Sequence, residues 1–395
     1  MNECDVAVVG GGPIGGHVAS LLAESGHSVS VFEEHKEIGL PLKCAGLVTP
    51  RVLDMVNIKQ TAVVQNTIKG AHIHSPSNHI LTVGGNRKHA FVIDRSEFDK
   101  KILHDAHKKG ATILSNHKIT AAQRQKDFII LATSQDTEYR CKLVVGADGP
   151  YSEIRDRFAF PQPKEFLQGI GAQLVDTSLD HDFVELFVGN AIAPDFFAWI
   201  IPTNAKGTRA RAGLCVAANA PHHPKQYLST LLQHENASPF LEQATISGYT
   251  GGSIPLGPLS KTYDNNILLV GDAAAQVKPT SGGGIYPGLC CACHCAAVAQ
   301  DAMENNIFTE KILKKYQKKW HEDIGKELYL GMKFRTIFTR LTDAQFDKYI
   351  AKFQQQSIAA TISKHGDIDF PSKLIKPLLK KAPTLLTLLP KMLKE

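Results

Sequence analysis

The sequence predicts an α/β protein in which a nucleotide-binding domain is interrupted by an antiparallel β-sheet and followed by a C-terminal helical region. Near the N-terminus the apolar run Val6–Val9 leads into the glycine-rich turn Gly10–Gly15, a helix-like stretch and a second apolar strand at Ser28–Phe32. Much later, another apolar strand runs into Gly271-Asp272, and hairpin-like segments lie between the two regions. Strand, glycine turn, helix and strand in this order are typical of a Rossmann-type βαβ unit.

Three glycines of the N-terminal turn each have a geometric role. Gly10 permits the tight turn, Gly12 lets the backbone approach a pyrophosphate, and Gly15 allows close packing of the helix. The start of that helix, which includes Pro13 and Ile14, presents free N–H groups and a partial positive charge. The turn is therefore predicted to bind the phosphates of a dinucleotide.

Glu33 is predicted to accept hydrogen bonds from the ribose of the same nucleotide. It ends the second strand and lies 18 residues after Gly15, close to the spacing expected in dinucleotide-binding units. Glu34 is adjacent but stands one residue further from the strand. A purely structural glycine turn beside an unrelated acid is the alternative.

Composition indicates an ordinary globular protein with two or three structural units. The chain has 395 residues, 43% of them apolar and 21% charged, with a net charge of +6. That basic excess is small and dispersed, so no nucleic-acid partner is expected. No apolar run is long enough to span a bilayer, and the N-terminus does not resemble a secretion signal. The eight cysteines are clumped rather than spaced as a disulfide framework, which favours a cytoplasmic location.

The predicted domains are discontinuous along the chain. Hairpin-like strands at Ala71–Val83 and within Gln168–Ala217 indicate the inserted sheet. A helix is expected after Asp94, with Ser96 as its N-cap. The predicted boundaries are 1–62, 94–155 and 255–308 for the nucleotide-binding domain, 63–93 and 156–254 for the substrate domain, and 309–395 for the helical region.

Three further motifs bear on the family. They are Arg95-Ser96-Glu97-Phe98-Asp99, Gly146-Ala147-Asp148-Gly149 and Gly271-Asp272. They resemble the R-x-x-F-D, D-G and G-D motifs of the geranylgeranyl reductase family, within the flavoprotein group that includes p-hydroxybenzoate hydroxylase. The resemblance extends from the N-terminus to about residue 360. It implies FAD as the cofactor, with Arg95 beside the flavin, Asp148 in the D-G motif and Asp272 on the ribityl chain.

The segment Pro279–Ile285 is predicted to lie against the flavin ring. Gly282, Gly283 and Gly284 carry no side chains, which lets the backbone approach a flat ring closely. The helix that begins near Ile285 would direct its N-terminus at the pyrimidine edge and stabilise anionic reduced flavin. A structural role for the three glycines is the alternative.

The segment Pro194–Pro202 resembles the family's P-x-x-Y-x-W-x-F-P, which implies a wall for an isoprenoid chain near the flavin. Trp199 is retained, whereas Phe197 stands where the family has Tyr and Ile201 where it has Phe. Replacing the phenol by Phe197 keeps an aromatic wall but removes a hydroxyl. A core strand with aromatic packing is the alternative.

Pro41–Gly46 resembles the family's P-x-x-C-G segment, with Ala45 in place of the usual Gly. The resemblance places Cys44 and Ala45 at the flavin. Cys44 is a candidate proton donor or positioning group, while a small buried apolar residue is the alternative.

Two further segments each have two interpretations. The cluster Cys290–Cys295 lacks a second ligand pair of zinc-ribbon spacing, so small-residue packing is favoured over a metal site. The segment 373–394 holds six lysines, several leucines and no acid. It is either a membrane-surface anchor on the inner face of the cell membrane or a helical pair packed on the body.

The resemblance to the geranylgeranyl reductase family implies an FAD-dependent reductase that saturates double bonds of geranylgeranyl chains in archaeal ether-lipid precursors. Its partners would be a polyprenyl lipid and an external reductant such as ferredoxin or NAD(P)H. An FAD-dependent monooxygenase of an aromatic or quinone is the alternative, because the flavin motifs are shared by many hydroxylases.

Overall fold

A computed structural model describes residues 1–42 and 44–383. Its strands are β1 (Asn2–Val9), β2 (Val29–Glu33), β3 (Leu47–Val48), β4 (Val64–Ile68), β5 (Gly70–His74), β6 (Ile80–Gly84), β7 (Ala90–Ile93), β8 (Thr112–Ser115), β9 (Ile119–Gln125), β10 (Phe128–Thr133), β11 (Glu138–Gly146), β12 (Glu165–Val175), β13 (Phe183–Val188), β14 (Phe197–Pro202), β15 (Arg209–Ala217), β16 (Thr245–Leu256), β17 (Tyr263–Asp264) and β18 (Ile267–Leu269).

Helices are concentrated in the last third of the chain. They are α1 (Pro13–Glu24), α2 (Pro50–Met55), α3 (Arg95–Lys108), α4 (Glu153–Arg157), α5 (Pro224–Leu232), α6 (Ser238–Leu241), α7 (Ile285–Asn305), α8 (Glu310–Trp320), α9 (Lys326–Phe338), α10 (Asp343–Phe353), α11 (Gln356–His365) and α12 (Ser372–Lys381). Within the described ranges, none of them is long and apolar enough to cross a membrane.

The nucleotide-binding unit is built on a mainly parallel sheet. Strands β18, β11, β1, β2 and β8 lie side by side in that order and are parallel to one another. Their apolar side chains are buried almost continuously, as expected for a sheet covered on both faces. Helices α1 and α7 pack together on one face through a cluster that includes Leu22 and Val298. This arrangement confirms the predicted α/β fold.

A second sheet of seven strands has the order β16-β12-β15-β14-β13-β5-β6. Its neighbours are antiparallel except for β13 and β5, which run parallel. The sheet confirms the predicted antiparallel insertion. A third sheet contains β3, β7 and β4, so it joins residues from both sides of the predicted boundary at residue 62.

The N-terminus of α3 differs from the sequence expectation. Asp94, rather than Ser96, is the N-cap, and its side chain accepts a hydrogen bond from the amide of Glu97. The sequence Asp94-Arg95-Ser96 offers two capping residues, and the helix begins one residue after the first of them. As a consequence Arg95 occupies the first helical position.

The C-terminal helices fold back onto the body of the protein. Ser372 at the start of α12 bonds to Glu327 of α9, and Lys373 pairs with Asp367. Leu374, Ile375, Leu378 and Leu379 of α12 are each only partly covered. The segment proposed as a membrane anchor, 373–394, lies outside the described residues from position 384 onward.

Candidate functional site

The glycine turn after β1 is shaped by close contacts at two positions and by open space at a third. Gly10 has φ of +106°, and a Cβ there would lie 2.3 Å from the carbonyl oxygen of Ala147. At Gly15 a Cβ would lie 2.1 Å from the carbonyl oxygen of Gly10. A Cβ at Gly12 would meet no atom within 4 Å, and Gly12 lines a cavity of about 960 Å³. The turn therefore leaves room for a ligand at the start of α1.

Glu33 at the end of β2 is fixed against this turn. Its carboxylate accepts a hydrogen bond of 2.7 Å from the amide of Gly11 and one of 2.9 Å from the amide of His35. Only 12% of the side chain is exposed. Glu34 points elsewhere and pairs with Lys118 at 3.4 Å. The geometry thus separates the two acids, and Glu33 is the one beside the turn.

The loop after β18 meets the start of α1. A Cβ at Gly271, where φ is +69°, would lie 3.2 Å from Ile14, and one at Gly288 of α7 would lie 2.7 Å from it. These close approaches bring together two parts of the chain that are remote in sequence. Ile14, Asp272 and Ile285 all line the same cavity, so both predicted halves of the cofactor site face one space.

Asp272 is an acidic residue that lines that cavity. Burial raises the pKa of its carboxyl to about 6, opposed in part by the positive charge of Arg95. A Cβ at Gly284 would lie 2.8 Å from the Asp272 carboxylate. Gly284 therefore leaves space for this acid directly before α7.

The three consecutive glycines have separate packing roles as well. A Cβ at Gly282 would lie 2.9 Å from Ile254, and one at Gly283 would lie 3.0 Å from the Lys278 side chain. Pro279 packs against α9, since a Cβ at Gly331 would lie 2.8 Å from its ring. The loop is thus compact on its protein side, while Gly282–Ile285 form part of the cavity surface.

Arg95 and Cys44 form a polar pair at the cavity wall. Arg95 donates two hydrogen bonds to Asp99, at 3.1 and 3.0 Å, and also interacts with the Cys44 side chain. Burial lowers the pKa of Arg95, but the charge of Asp99 and the contact with Cys44 raise it more, so its guanidinium is held charged. The Cys44 sulfur accepts a hydrogen bond of 3.3 Å from the amide of Gly46.

Arg211 of β15 holds the Cys44 segment from the other side. Its guanidinium donates to the carbonyl oxygens of Ala45 and Ile93, at 2.9 and 3.0 Å, and to Gln65 at 2.8 Å. Arg211 was not predicted as a site residue. The available signal was an arginine between small residues in a strand that is apolar after it, because such a side chain needs several acceptors.

The carboxylate of Asp148 lies at the start of α4. Its carboxylate accepts hydrogen bonds from the hydroxyl of Ser152 at 2.6 Å and from the amide of Ile154 at 3.1 Å. These contacts hold the N-terminus of α4. Its neighbours Ala147 and Gly149 line the cavity, so the motif meets the site through its backbone while the carboxylate supports the turn.

Part of the cavity surface, here called the apolar limb, is formed by aromatic and aliphatic side chains. The whole cavity has a volume of about 960 Å³. Phe197 and Trp199 of β14 both line it, with ring centroids 6.0 Å apart in an edge-to-face arrangement. Further apolar lining residues come from two sheets and are Leu47, Ile68, Val83, Val184, Leu186 and Ile201.

Residues of the C-terminal helical region also line the cavity. They include Ile362, Ile368, Pro371 and Leu374. The segment 366–374, here called the C-terminal wall, was missed in the sequence analysis, which treated residues beyond 309 as a separate region. The only signal was Lys278, a lone charge between apolar and glycine-rich residues that requires a buried partner.

Comparisons with known proteins identify the family. The sequence model of the family described as FAD binding domain matches residues 3–290. A digeranylgeranylglycerophospholipid reductase from Methanocaldococcus jannaschii is 30% identical over 390 residues, which cover 97% of this chain and 96% of that protein. The chain belongs to the geranylgeranyl reductase family of FAD-binding proteins. The predicted family and cofactor are confirmed.

Another relative and two solved structures extend this picture. An uncharacterized protein from the same archaeon is 32% identical over 383 residues, covering 96% of this chain and 95% of that protein. A geranylgeranyl bacteriochlorophyll reductase-like protein from Thermoplasma acidophilum has a TM-score of 0.88 at 22% identity, covering 99% and 100% of the two chains. A p-nitrophenol 4-monooxygenase from Pseudomonas putida has a TM-score of 0.74 at 18% identity, covering 95% and 99%. These two structures show the fold that the chain shares with them.

The residues around the cavity fit FAD. Space is open at Gly12 beside the N-terminus of α1, where phosphates are bound favourably. Within the described part of the chain, the Ser281 hydroxyl is buried, lines the cavity and has no hydrogen-bond partner. Buried polar atoms are nearly always satisfied, so a polar ligand is expected at the Pro279–Ile285 loop.

The cysteine cluster lies in the family's nucleotide-binding core. Cys290, Cys291 and Cys295 are buried between α7 and its neighbours, and Cys293 contacts His17 with 3.5 Å between sulfur and Nε2. Across residues 1–42 and 44–383, no group of three or more His, Cys, Asp or Glu side chains is arranged to hold a metal ion. Small-residue packing against α1 and α8 is the arrangement that the structure shows.

Proposed function

We propose that this FAD-dependent oxidoreductase saturates carbon–carbon double bonds of geranylgeranyl chains in archaeal ether-lipid precursors. The observation that carries the proposal is the apolar limb walled by Phe197 and Trp199, which is continuous with the loops that fit FAD. The name of the 30% identical relative supports the same substrate class. A cavity lined largely by apolar side chains suits a flexible hydrocarbon, whose burial is favourable by about 25 cal/mol per Å².

The chemistry requires two hydrogen equivalents for each double bond. When bound, reduced FAD supplies a hydride to one alkene carbon, and a proton must reach the other. Cys44 is the side chain that we propose as the proton donor, because it lines the cavity beside Arg95. Arg95, Arg211 and the Gly46 amide fix the position of the Cys44 segment. An isolated alkene is unactivated, so exact placement and exclusion of water are the main contributions of the chain.

The proposed cofactor contacts are distributed over both halves of the site. Gly10, Gly12, Pro13, Ile14 and Gly15 would hold the pyrophosphate, and Glu33 the adenosine ribose. Asp272 would accept from the ribityl chain. The remaining proposed contacts to the flavin are Cys44, Ala45, Arg95, Asp148, Gly271, Pro279, Gly282, Gly283, Gly284 and Ile285, with Asp148 acting through the turn that it supports.

The lipid and the electrons come from outside the chain. We propose that α12 and the residues after it rest on the inner face of the cell membrane, since α12 combines Lys376, Lys380 and Lys381 with partly covered leucines. Leu374 of α12 lines the cavity, so a lipid would enter next to that surface. Ferredoxin or NAD(P)H is the proposed external reductant.

Anaerobic turnover tests the proposal. The purified protein is reduced chemically under nitrogen and incubated with lipids that carry geranylgeranyl chains. The masses of the products are then measured by mass spectrometry. A reductase yields lipid heavier by two hydrogens for each bond saturated. A protein that requires oxygen and leaves the lipid mass unchanged would instead support the alternative, a monooxygenase of an aromatic or quinone, whose fold is shared.

A matched pair of variants tests Cys44. Cys44→Ala is expected to lower turnover at least tenfold while FAD binding is retained. Cys293→Ala is the control, since Cys293 is also partly exposed but lies in α7 against His17. Equal activity in both variants would exclude Cys44 as the proton donor.

A further inference from the structure

Lys278 is a buried cation at the loop that fits the flavin. Its side chain is only 10% exposed and its ammonium lies 2.8 Å from the Asp369 carboxylate. The ammonium also donates to the carbonyl oxygen of Ile368 at 3.1 Å. Lys278 lines the cavity, and a Cβ placed on Gly283 would lie 3.4 Å from its nitrogen. The positive charge is therefore directly beside the glycine run.

Asp369 links this loop to the C-terminal wall. The carboxylate is 1% exposed and accepts a second hydrogen bond, of 2.5 Å, from the hydroxyl of Thr49. Arg51 donates to the same acid at 3.2 Å and makes two bonds, of 3.0 and 2.9 Å, to Asp367. The wall is thus held to the loop that contains Lys278 by a buried charge pair. It is held to the start of α2 by Arg51, whose side chain is 43% exposed. Because Asp369 belongs to the wall, the negative charge that pairs with Lys278 is supplied by the wall.

We propose that the Lys278–Asp369 pair sets the reduction potential of bound FAD and couples that potential to the seating of the C-terminal wall. This inference rests on the proposed function, in which the flavin ring lies against Gly282–Gly284. Reduction adds negative charge to the flavin, and a nearby cation stabilises the reduced form in a low-dielectric site. The charge of Asp369 offsets that effect while the wall is seated. Release of the wall leaves Lys278 uncompensated and makes FAD easier to reduce.

The Lys278–Asp369 pair acts on the reaction indirectly and takes no part in the chemical step. We assign Lys278 no role in proton or hydride transfer. The carboxylate of Asp369 accepts hydrogen bonds from three donors, which hold it away from the cavity. Their influence on the reaction runs through the equilibrium between oxidised and reduced FAD. Linkage makes the coupling reciprocal, so reduction of FAD weakens the attachment of the wall by the same factor.

Spectroscopic titration of the FAD-loaded protein, without lipid, tests the proposal. Asp369→Asn is expected to shift the two-electron potential upward and Lys278→Met to shift it downward, each by at least tenfold in the reduction equilibrium, about 30 mV. The double variant Lys278→Met/Asp369→Asn is expected to lie close to the unmodified protein, because both charges are gone.

Two controls separate charge from damage to the fold. Lys278→Arg keeps the charge and is expected to keep the potential within threefold in the same equilibrium. Lys69→Met breaks another ion pair of the same length, 2.8 Å to Asp182, at a residue outside the cavity lining, and is expected to leave the potential unchanged. Equal potentials in all variants, or a shift of equal size for Lys278→Arg and Lys278→Met, would overturn the proposal. Lipid reduction does not enter this titration, so either proposal can fail without the other.

Discussion

The indole of Trp199 lies directly over Gly213 of the neighbouring strand. The two residues are paired across β14 and β15, and a Cβ at position 213 would lie 2.7 Å from Cζ2 of the ring. Glycine at this position lets the indole lie flat against the sheet and form a wall of the cavity. The absence of a single methyl group at position 213 therefore determines the shape of the proposed substrate site.

Gly213→Ala is expected to displace the indole into the cavity. Overpacking of this kind costs about 1–3 kcal/mol, shared between lower stability and a shifted ring. We expect kcat/KM for a geranylgeranyl lipid to fall at least tenfold while the affinity for FAD stays unchanged. Gly248→Ala in β16 is the matched control, because a Cβ there meets no atom within 4 Å. Equal kinetics in the two variants would contradict the assignment of Trp199 to the substrate wall.

Trp199→Ala tests the same wall by removal. A truncated side chain widens the limb, so we expect activity to fall at least tenfold, about 1.4 kcal/mol, with the preference for chain length broadened. Steady-state kinetics with lipids of several prenyl lengths provide the measurement. Tyr249→Ala, which removes a ring that is 56% exposed, is the control. Full activity of Trp199→Ala on every chain length would remove Trp199 from the proposed site.

FAD affinity is expected to depend on pH through Asp272. Burial raises the pKa of this acid to about 6, and Arg95 opposes the rise. In the proposed role the ionised carboxylate, which predominates above that pH, would accept hydrogen bonds from ribityl hydroxyls, and protonation below that pH would remove an acceptor. We expect FAD affinity to fall as pH decreases through 6, by up to about tenfold per unit. Flavin fluorescence titration measures this. Asp272→Asn is expected to bind FAD more weakly with no such pH dependence, and an unchanged profile would contradict the role.

The stability of the fold is expected to fall in mild acid because of His17. Burial lowers the pKa of this histidine to about 4, the charge of Lys109 lowers it further, and Asp105 opposes both. Between pH 6.5 and 4 the unfolded chain therefore binds a proton that the folded chain does not. The free energy of unfolding should decrease by up to about 1.4 kcal/mol per pH unit across that window as pH is lowered.

Denaturant unfolding at several pH values checks the prediction for His17. His17→Leu removes the titrating group from an apolar setting and should flatten the profile between pH 6.5 and 4. His104→Leu on α3, where the side chain is exposed, should leave the profile as it is. The prediction fails if both variants retain the full pH dependence.

Local sequence determined the framework of the nucleotide-binding unit. The glycine turn, the acid after β2 and the Gly271-Asp272 loop are short segments whose conformations follow from glycine geometry and from alternating strand and helix patterns. Such features can be predicted from the sequence because their physical causes lie within a few residues of one another. The family motifs added the cofactor on the same basis.

Only the tertiary structure determined which distant residues line the apolar limb and which charged residues lie beside it. Lys278 and Asp369 are 91 residues apart, and Arg211 and Ala45 are 166 apart. Periodicity shows which face of an element is buried, but it does not show which distant element covers that face. The assignment of Asp148 to helix capping and of the C-terminal wall to the cavity follows from packing between remote segments. The sequence thus determined the fold, the family and the cofactor, whereas packing determined the shape of the cavity and the partner of its buried lysine.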